Sequence, residues 1–201
     1  MPPNLIAILR GVTPERIEAV ARVLFEEGVR AIEVPLNSPE PFDSIARLSR
    51  AFSAECLCGA GTVLDAADVA RVKDAGGKLI VTPNTDPAVI AQAVALDMTV
   101  VPGFATATEA FAAIKAGART LKLFPAKTYG SGHLKALKAV LPRDVPVYAV
   151  GGVGAEDVAE WIAAGAAGFG FGSELFRTDY SDDDIRTRTR RLVEVLKHAN
   201  S

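Results

Sequence analysis

Short apolar runs alternate along the chain with stretches of helical periodicity, repeating at roughly 20 to 25 residue intervals. The runs read Leu5 to Leu9, Ala31 to Val34, Cys56 to Ala60, Leu79 to Thr82, Thr99 to Val101, Thr120 to Phe124, Val147 to Val150 and Gly168 to Phe171. Each is followed by a pattern that fits one face of a helix. Repeated βα units of this kind predict a parallel sheet covered by helices. Eight strands in so short a chain favour a closed, single-domain (β/α)₈ TIM barrel over an open doubly wound sheet, whose edges would need cover. One domain is expected over residues 1–201.

The punctuation between runs supports the same reading. Thr13-Pro14 and Asp86-Pro87 place a capping side chain before a proline suited to the first helical position, and Thr106 with Glu109 has capping-box spacing. Gly28, Gly76, Gly117 and Gly165 mark helix ends where a left-handed residue stops the helix before the next strand. Five residues beyond these glycines stand Glu33, Val81, Lys122 and Gly170, so equivalent barrel positions hold a carboxylate, an aliphatic, an amine and no side chain.

Composition narrows the class of partner. The 201 residues are 49% hydrophobic and 23% charged, the balance of a packed domain rather than a disordered chain. The formal charge is −2, with Lys and Arg spread along the sequence, which gives no basic stripe for nucleic acid. No apolar run approaches the roughly 20 residues that cross a bilayer, and Met1-Pro2-Pro3-Asn4 lacks the features of a secretory signal, so no membrane partner and a cytoplasmic location are expected. Cys56 and Cys58, two apart in a strand-like run, read as buried free thiols; no Cys or His cluster completes a metal site. His133 and His198 fall on helices far apart in sequence and read as bystanders. Neither a Gly-rich dinucleotide fingerprint nor a Walker sequence is present, so no cofactor is implied.

Strand alternation singles out two ionisable residues. In Thr120-Leu121-Lys122-Leu123-Phe124 it sends Leu121 and Leu123 toward the helices and Lys122 into the barrel. Burial there lowers a lysine pKa, and the neutral amine is the form that attacks a carbonyl to make an imine. In Ala31-Ile32-Glu33-Val34-Pro35 the same alternation sends Glu33 inward. A carboxylate near an iminium moves protons between substrate atoms, and burial would bring its pKa toward neutrality. A buried salt bridge between Lys122 and Glu33 accounts for the same pattern, as in a noncatalytic barrel that only binds phosphorylated metabolites.

The strand ends add binding groups. Arg10 closes the first strand and Thr62 follows Gly59-Ala60-Gly61 after the third, at the rim where βα loops gather substrate. An arginine fork with a nearby hydroxyl suits a carboxylate; a rim salt bridge for Arg10 and a turn-stabilising hydroxyl for Thr62 are the structural alternatives. Gly151-Gly152 and Gly172-Ser173 follow the last two strands, where barrels commonly hold phosphate on backbone N–H groups and helix N-termini. A lone Gly-Gly is usually only a turn; two such loops after these two strands point to phosphate.

Nearly the whole chain resembles the 2-keto-3-deoxy-6-phosphogluconate and phosphogalactonate aldolase family. The resemblance rests on Ile8-Leu9-Arg10-Gly11, Glu33-Val34-Pro35-Leu36-Asn37-Ser38-Pro39, Gly59-Ala60-Gly61-Thr62-Val63, Thr82-Pro83-Asn84, Leu123-Phe124-Pro125 and Val150-Gly151-Gly152-Val153. It implies a metal-independent class I aldolase, a homotrimer, that splits a phosphorylated 2-keto-3-deoxy sugar acid into pyruvate and D-glyceraldehyde 3-phosphate. It makes Lys122 the Schiff-base lysine and Glu33 the general acid/base. Arg10 and Thr62 would lie near the pyruvate carboxylate, and phosphate at Gly151, Gly152, Gly172 and Ser173. The resemblance also bears on the C4 epimer. Gluconate-type members usually carry a threonine at the position of Val150 and an arginine near Asn37; this chain departs from both, which implies the phosphogalactonate substrate, with the gluconate epimer or both epimers as the alternative.

Overall fold

In the computed structural model, which describes residues 3–199, the apolar runs pair side by side, all parallel, into one sheet. The strands are β1 (Leu5–Ile8), β2 (Ala31–Pro35), β3 (Leu57–Gly61), β4 (Leu79–Val81), β5 (Thr99–Val101), β6 (Gly103–Phe104), β7 (Leu121–Leu123), β8 (Val147–Val150) and β9 (Gly168–Phe171). Their order is β5-β4-β3-β2-β1-β9-β8-β7-β6. The two outermost strands of that order are consecutive in the chain, separated by Pro102 alone.

This is the expected eight-stranded barrel with its fifth strand broken at one residue. Pro102 has no N–H to give to a ladder. On one side of it β5 pairs with β4; on the other β6 pairs with β7, with Gly103 opposite Lys122. The Pro102 carbonyl accepts from the Lys122 amide at 2.9 Å. The Gly103 amide donates instead to the Thr82 hydroxyl at 3.2 Å. Sequence reasoning found Thr99 to Val101 and missed Gly103–Phe104, because a two-residue strand after a proline carries no periodicity.

The helices are α1 (Ile17–Glu26), α2 (Pro41–Phe52), α3 (Ala66–Asp74), α4 (Pro87–Ala95), α5 (Ala107–Lys115), α6 (Ala126–Tyr129), α7 (Ser131–Lys138), α8 (Val158–Ala163) and α9 (Asp182–Ala199). Asp86 caps α4 by accepting from the Ala88 and Val89 amides, and Thr106 with Glu109 forms the capping box of α5. Gly28, Gly76, Gly117 and Gly165 all take positive φ, between 84° and 110°, at helix ends. Thr13 is not a cap. Its carbonyl accepts from the Arg16 and Ile17 amides at 3.0 and 3.1 Å, so Pro14 sits in a turn that precedes α1, and Arg16 stands at the helix start without a side-chain cap. The fixed φ of proline serves a turn as well as a first helical turn.

Alternation along the strands sorts the core into two layers. Outward residues such as Leu5, Ala7, Ile32, Val34, Leu121, Leu123, Val147 and Ala149 join the helices in one large apolar cluster. Inside the barrel Ile6, Ala31, Leu79, Val81, Val101, Tyr148 and Val150 form a separate, much smaller one. Glu33 and Lys122 lie at that inner layer, both buried. Cys56 and Cys58 are buried and unbridged.

Candidate active site

Register fixes where the two ionisable groups stand. Glu33 is opposite Ile8 on β1 and Gly59 on β3, while Lys122 is opposite Gly103 on β6 and Tyr148 on β8. They therefore enter the barrel from different sides of its wall. Among the described residues no ion pair or hydrogen bond joins them, and Glu33 Oε2 is buried without a hydrogen-bond partner. Lys122 Nζ lies 4.9 Å from the centre of the Phe124 ring. Phe124, the first residue past that strand, walls the ammonium on one side.

Each group titrates far from its ordinary range. Burial pushes the Glu33 carboxyl up to about 7, with Lys122 and Arg10 pulling the other way. Burial pulls the Lys122 ammonium down to about 8, opposed by Glu33 and aided by Arg10. Near neutral pH a proton therefore moves onto or off either group at small cost, which a contact ion pair built for stability would forbid.

Glu33 reaches this position because Gly61 leaves it room. A Cβ on Gly61 would lie 2.0 Å from Glu33 Oε2 and 2.2 Å from Oε1, so the carboxylate rests on the bare backbone of β3. The next residue, Thr62, is held at φ 54°, in the left-handed region that a β-branched residue rarely enters. That turn aims its hydroxyl at Arg10, whose Nη2 donates to Thr62 Oγ1 at 3.3 Å. The other terminal nitrogen, Nη1, donates to Asn37 Oδ1. Ser38 accepts from the Gly11 amide at 3.0 Å and so ties the loop after β2 to the loop after β1. Arg10 is in consequence a fork held at the rim by uncharged oxygens, and among the described residues it forms no rim salt bridge.

Among the described residues two larger clefts flank the barrel. One of about 830 Å³ is lined by Pro3, Leu57, Thr99 and Thr120, at the starts of strands. The other, about 620 Å³, opens at the strand ends and is lined by Ile8, Arg10, Gly172 and Ser173. The smaller one lies on the side where barrel enzymes work, and Ile8 on its wall is the register neighbour of Glu33.

The glycine loops differ from each other. Gly151 and Gly152 follow Val150 directly with φ 99° and 77°, a backbone path open to glycine but not to bulkier residues. From there a short 3₁₀ turn, Ala155–Asp157, leads into α8. Val150 is buried and packs over Gly170, where a Cβ would meet it at 2.9 Å. Gly172 and Ser173 instead open a series of turns: the Gly172 carbonyl accepts from Leu175 and Phe176 at 2.9 and 2.8 Å. No helix starts there. The following helix, α9, begins at Asp182 and fills its first turn with Asp182, Asp183 and Asp184, so its N-terminus already has its negative charge. Of the two glycine loops, only Gly151-Gly152 is followed closely by a helix.

The histidines stay outside this region: His133 Nε2 meets the Ala105 carbonyl at 2.6 Å and stacks on Tyr129, and His198 Nδ1 meets the Glu194 carbonyl. Sequence reasoning did not foresee Gly61 as the seat of Glu33 or Asn37 as the tether of Arg10. The signal for Gly61 was its place in register beyond Glu33 on a neighbouring strand, which becomes visible only once the strands are paired.

Residues 3–190 match the family model for KDPG and KHG aldolases. The 2-dehydro-3-deoxy-6-phosphogalactonate aldolase of Escherichia coli (strain K12) is 47% identical over 97% of this chain and 95% of its own length. A probable 2-dehydro-3-deoxy-6-phosphogalactonate aldolase of Rhizobium meliloti (strain 1021) is 50% identical over 92% of this chain and 87% of its own. The solved "Native KDPGal structure" superposes with a TM-score of 0.97 at 46% identity, covering 100% of this chain and 97% of that one. The likeness to these aldolases runs the full length of the barrel, and the chain belongs to the KDPG and KHG aldolase family.

Proposed function

We propose that this protein is a class I aldolase that cleaves 2-dehydro-3-deoxy-6-phosphogalactonate to pyruvate and D-glyceraldehyde 3-phosphate, with Lys122 as Schiff-base lysine and Glu33 as general acid/base. The observation that carries the reading is the pair itself: two buried groups, out of contact, each shifted toward neutrality by burial. The neutral Lys122 amine adds to the C2 carbonyl, and loss of water leaves an iminium. Glu33, directly or through a water, takes the C4 hydroxyl proton. The C3–C4 bond then breaks, its electrons passing into the C3–C2–N system as an enamine while C4 leaves as the aldehyde. Protonation of C3 and hydrolysis release pyruvate and restore Lys122.

Arg10, steadied by Thr62 and Asn37, is the carboxylate clamp of this scheme, and the Gly151-Gly152 and Gly172-Ser173 loops are its phosphate side. Val150, a buried aliphatic where gluconate-type members have a hydroxyl, favours the galactonate epimer. The phosphogalactonate names of the two relatives point the same way. The homotrimer and the cytoplasmic location are proposed from the family resemblance; among the described residues no helix is long and apolar enough to cross a membrane. Incubation with pyruvate and borohydride followed by peptide mapping tests the mechanism: a reduced pyruvyl adduct on Lys122 is expected, and its absence overturns the Schiff base. Cleavage rates on the two C4 epimers test the substrate, and light scattering tests the trimer.

A further inference from the structure

The loop that follows Val150 is held from outside by an ion pair that takes no part in the scheme above. Lys127, on α6, sits just beyond the strand that carries Lys122. Its backbone amide donates to the Gly151 carbonyl at 3.0 Å. Its Nζ reaches both oxygens of Asp157, at 2.7 and 2.8 Å. Asp157 Oδ2 also accepts from the Gly154 amide at 2.9 Å. One residue thus grips the loop at its first carbonyl and, through Asp157, at its last amide. Gly152 lies between them with the Lys127 stem packed beneath it: a Cβ there would meet Lys127 Cβ at 2.8 Å. A second cross-link, from the Ser131 hydroxyl to Glu160, joins α7 to α8 beside the first.

We propose that Lys127 and Asp157 are positioning residues that fix the Gly151-to-Gly154 loop in the conformation that receives the substrate's phosphate. The proposal rests on the phosphate side of the reading above and adds to it the device that shapes the loop. Left alone, a stretch with three glycines among its first four residues is free to wander. The ion pair holds Lys127 on one side and the Gly154 amide on the other, which leaves the N–H groups between them in a single arrangement before any anion arrives. Asp157 keeps little exposure, 14% of its side chain, while Lys127 keeps 56%, so the carboxylate is the inner member and the lysine the lid over it. An ion pair this exposed adds little to stability on its own account. Its effect is therefore to be sought in the kinetics of phosphorylated substrates.

The charge of Asp157 makes the proposal testable against plain electrostatics. If the pair acts only through its field, removing a carboxylate near the phosphate loop strengthens phosphate binding. If it acts by holding the loop, removing the carboxylate weakens it. The experiment runs the reaction in the synthetic direction with pyruvate and two acceptors, D-glyceraldehyde 3-phosphate and D-glyceraldehyde, and reads the ratio of their kcat/KM values. Asp157→Ala is expected to lower that ratio about tenfold, mainly through KM for the phosphorylated acceptor. Lys127→Met should do the same, and Lys127→Arg, which preserves a bidentate cation, should restore most of it. An unchanged or raised ratio in Asp157→Ala overturns the proposal. Pyruvate and borohydride trapping on Lys122 in each variant reports separately on the barrel and the Schiff base, so a failed aldolase reading and a failed clamp give different results.

Discussion

The Glu33 carboxylate lies directly over the backbone of Gly61, closer than any side chain at that position would allow. The general acid/base of the proposed reaction is therefore placed by what its neighbour lacks. Gly61→Ala puts a methyl 2.0 Å from Oε2 and must push the carboxylate off its seat. We expect kcat to fall by about 10²-fold while the pyruvyl adduct on Lys122 still forms, since displacing a catalytic group by an ångström costs on this order. Steady-state rates beside borohydride trapping check it; unchanged kcat in a folded variant would remove Glu33 from the mechanism.

Lys122 is held up by Glu33 and pulled down by burial. Glu33→Gln removes the negative charge that raises it, so the Lys122 amine should titrate below about 8 in that variant. The midpoint of pyruvate-dependent borohydride inactivation then moves to lower pH, even as turnover drops by roughly 10² to 10⁴. A midpoint that rises would contradict the burial account.

The same pair gives stability a pH dependence with a defined sign. Unfolded, Glu33 ionises near 4.5, whereas folded it holds its proton to about 7, so its contribution to stability falls as pH rises through that interval. Lys122 behaves in the opposite sense: folded, it loses its proton at about 8 rather than 10.5, so its contribution recovers as pH rises beyond 8. The double variant Lys122→Met, Glu33→Gln lacks both effects. Its stability advantage over the wild type should be widest between about pH 7 and 8, by roughly 3 kcal/mol, and narrower on either side. Urea unfolding across pH measures it, and a difference that does not vary with pH would show that the two groups titrate normally.

Arg10 is steadied by Asn37 and by a threonine in a strained turn. Asn37→Ala frees one end of the guanidinium, and we expect KM for the sugar acid to rise about fivefold with kcat little changed, the scale of one lost hydrogen bond. Arg10→Lys, which replaces a fork by a point charge, should cost more than Asn37→Ala. The reverse ranking would mean that Asn37 meets the substrate itself.

Val150 carries the prediction about the epimer. Val150→Thr places a hydroxyl in the buried inner layer of the barrel, and the ratio of kcat/KM for the gluconate over the galactonate epimer should rise by about tenfold. Equal losses on both epimers would locate the discrimination elsewhere.

Much of this was legible in the order of residues. Alternation in β2 and β7 was enough to send Glu33 and Lys122 inward, because a residue between two outward aliphatics has one direction left. The split fifth strand was not legible, since Pro102 erases the ladder on which the alternation depends. That turns rather than a helix follow Gly172 was not legible, because a Gly-Ser pair at a strand end looks the same in either case. The tethering roles of Asn37, Lys127 and Asp157 were silent for a different reason: each works through a partner more than twenty residues away in sequence, and long-range pairs leave no local pattern.

The two-layer core has a consequence for how such a protein can change. Cohesion resides mainly between strands and helices, where truncating a leucine such as Leu121 or Leu24 costs about 2–5 kcal/mol. The inner layer is a much smaller cluster, and Val150 within it stands at the end of its strand, next to the Gly151-Gly152 loop. Selection can therefore retool the interior in single steps, Val150 first, without dismantling the shell that keeps the enzyme folded. Innovation and endurance are assigned to opposite faces of the same eight strands, so a lineage can explore new substrates while inheriting its scaffold almost intact.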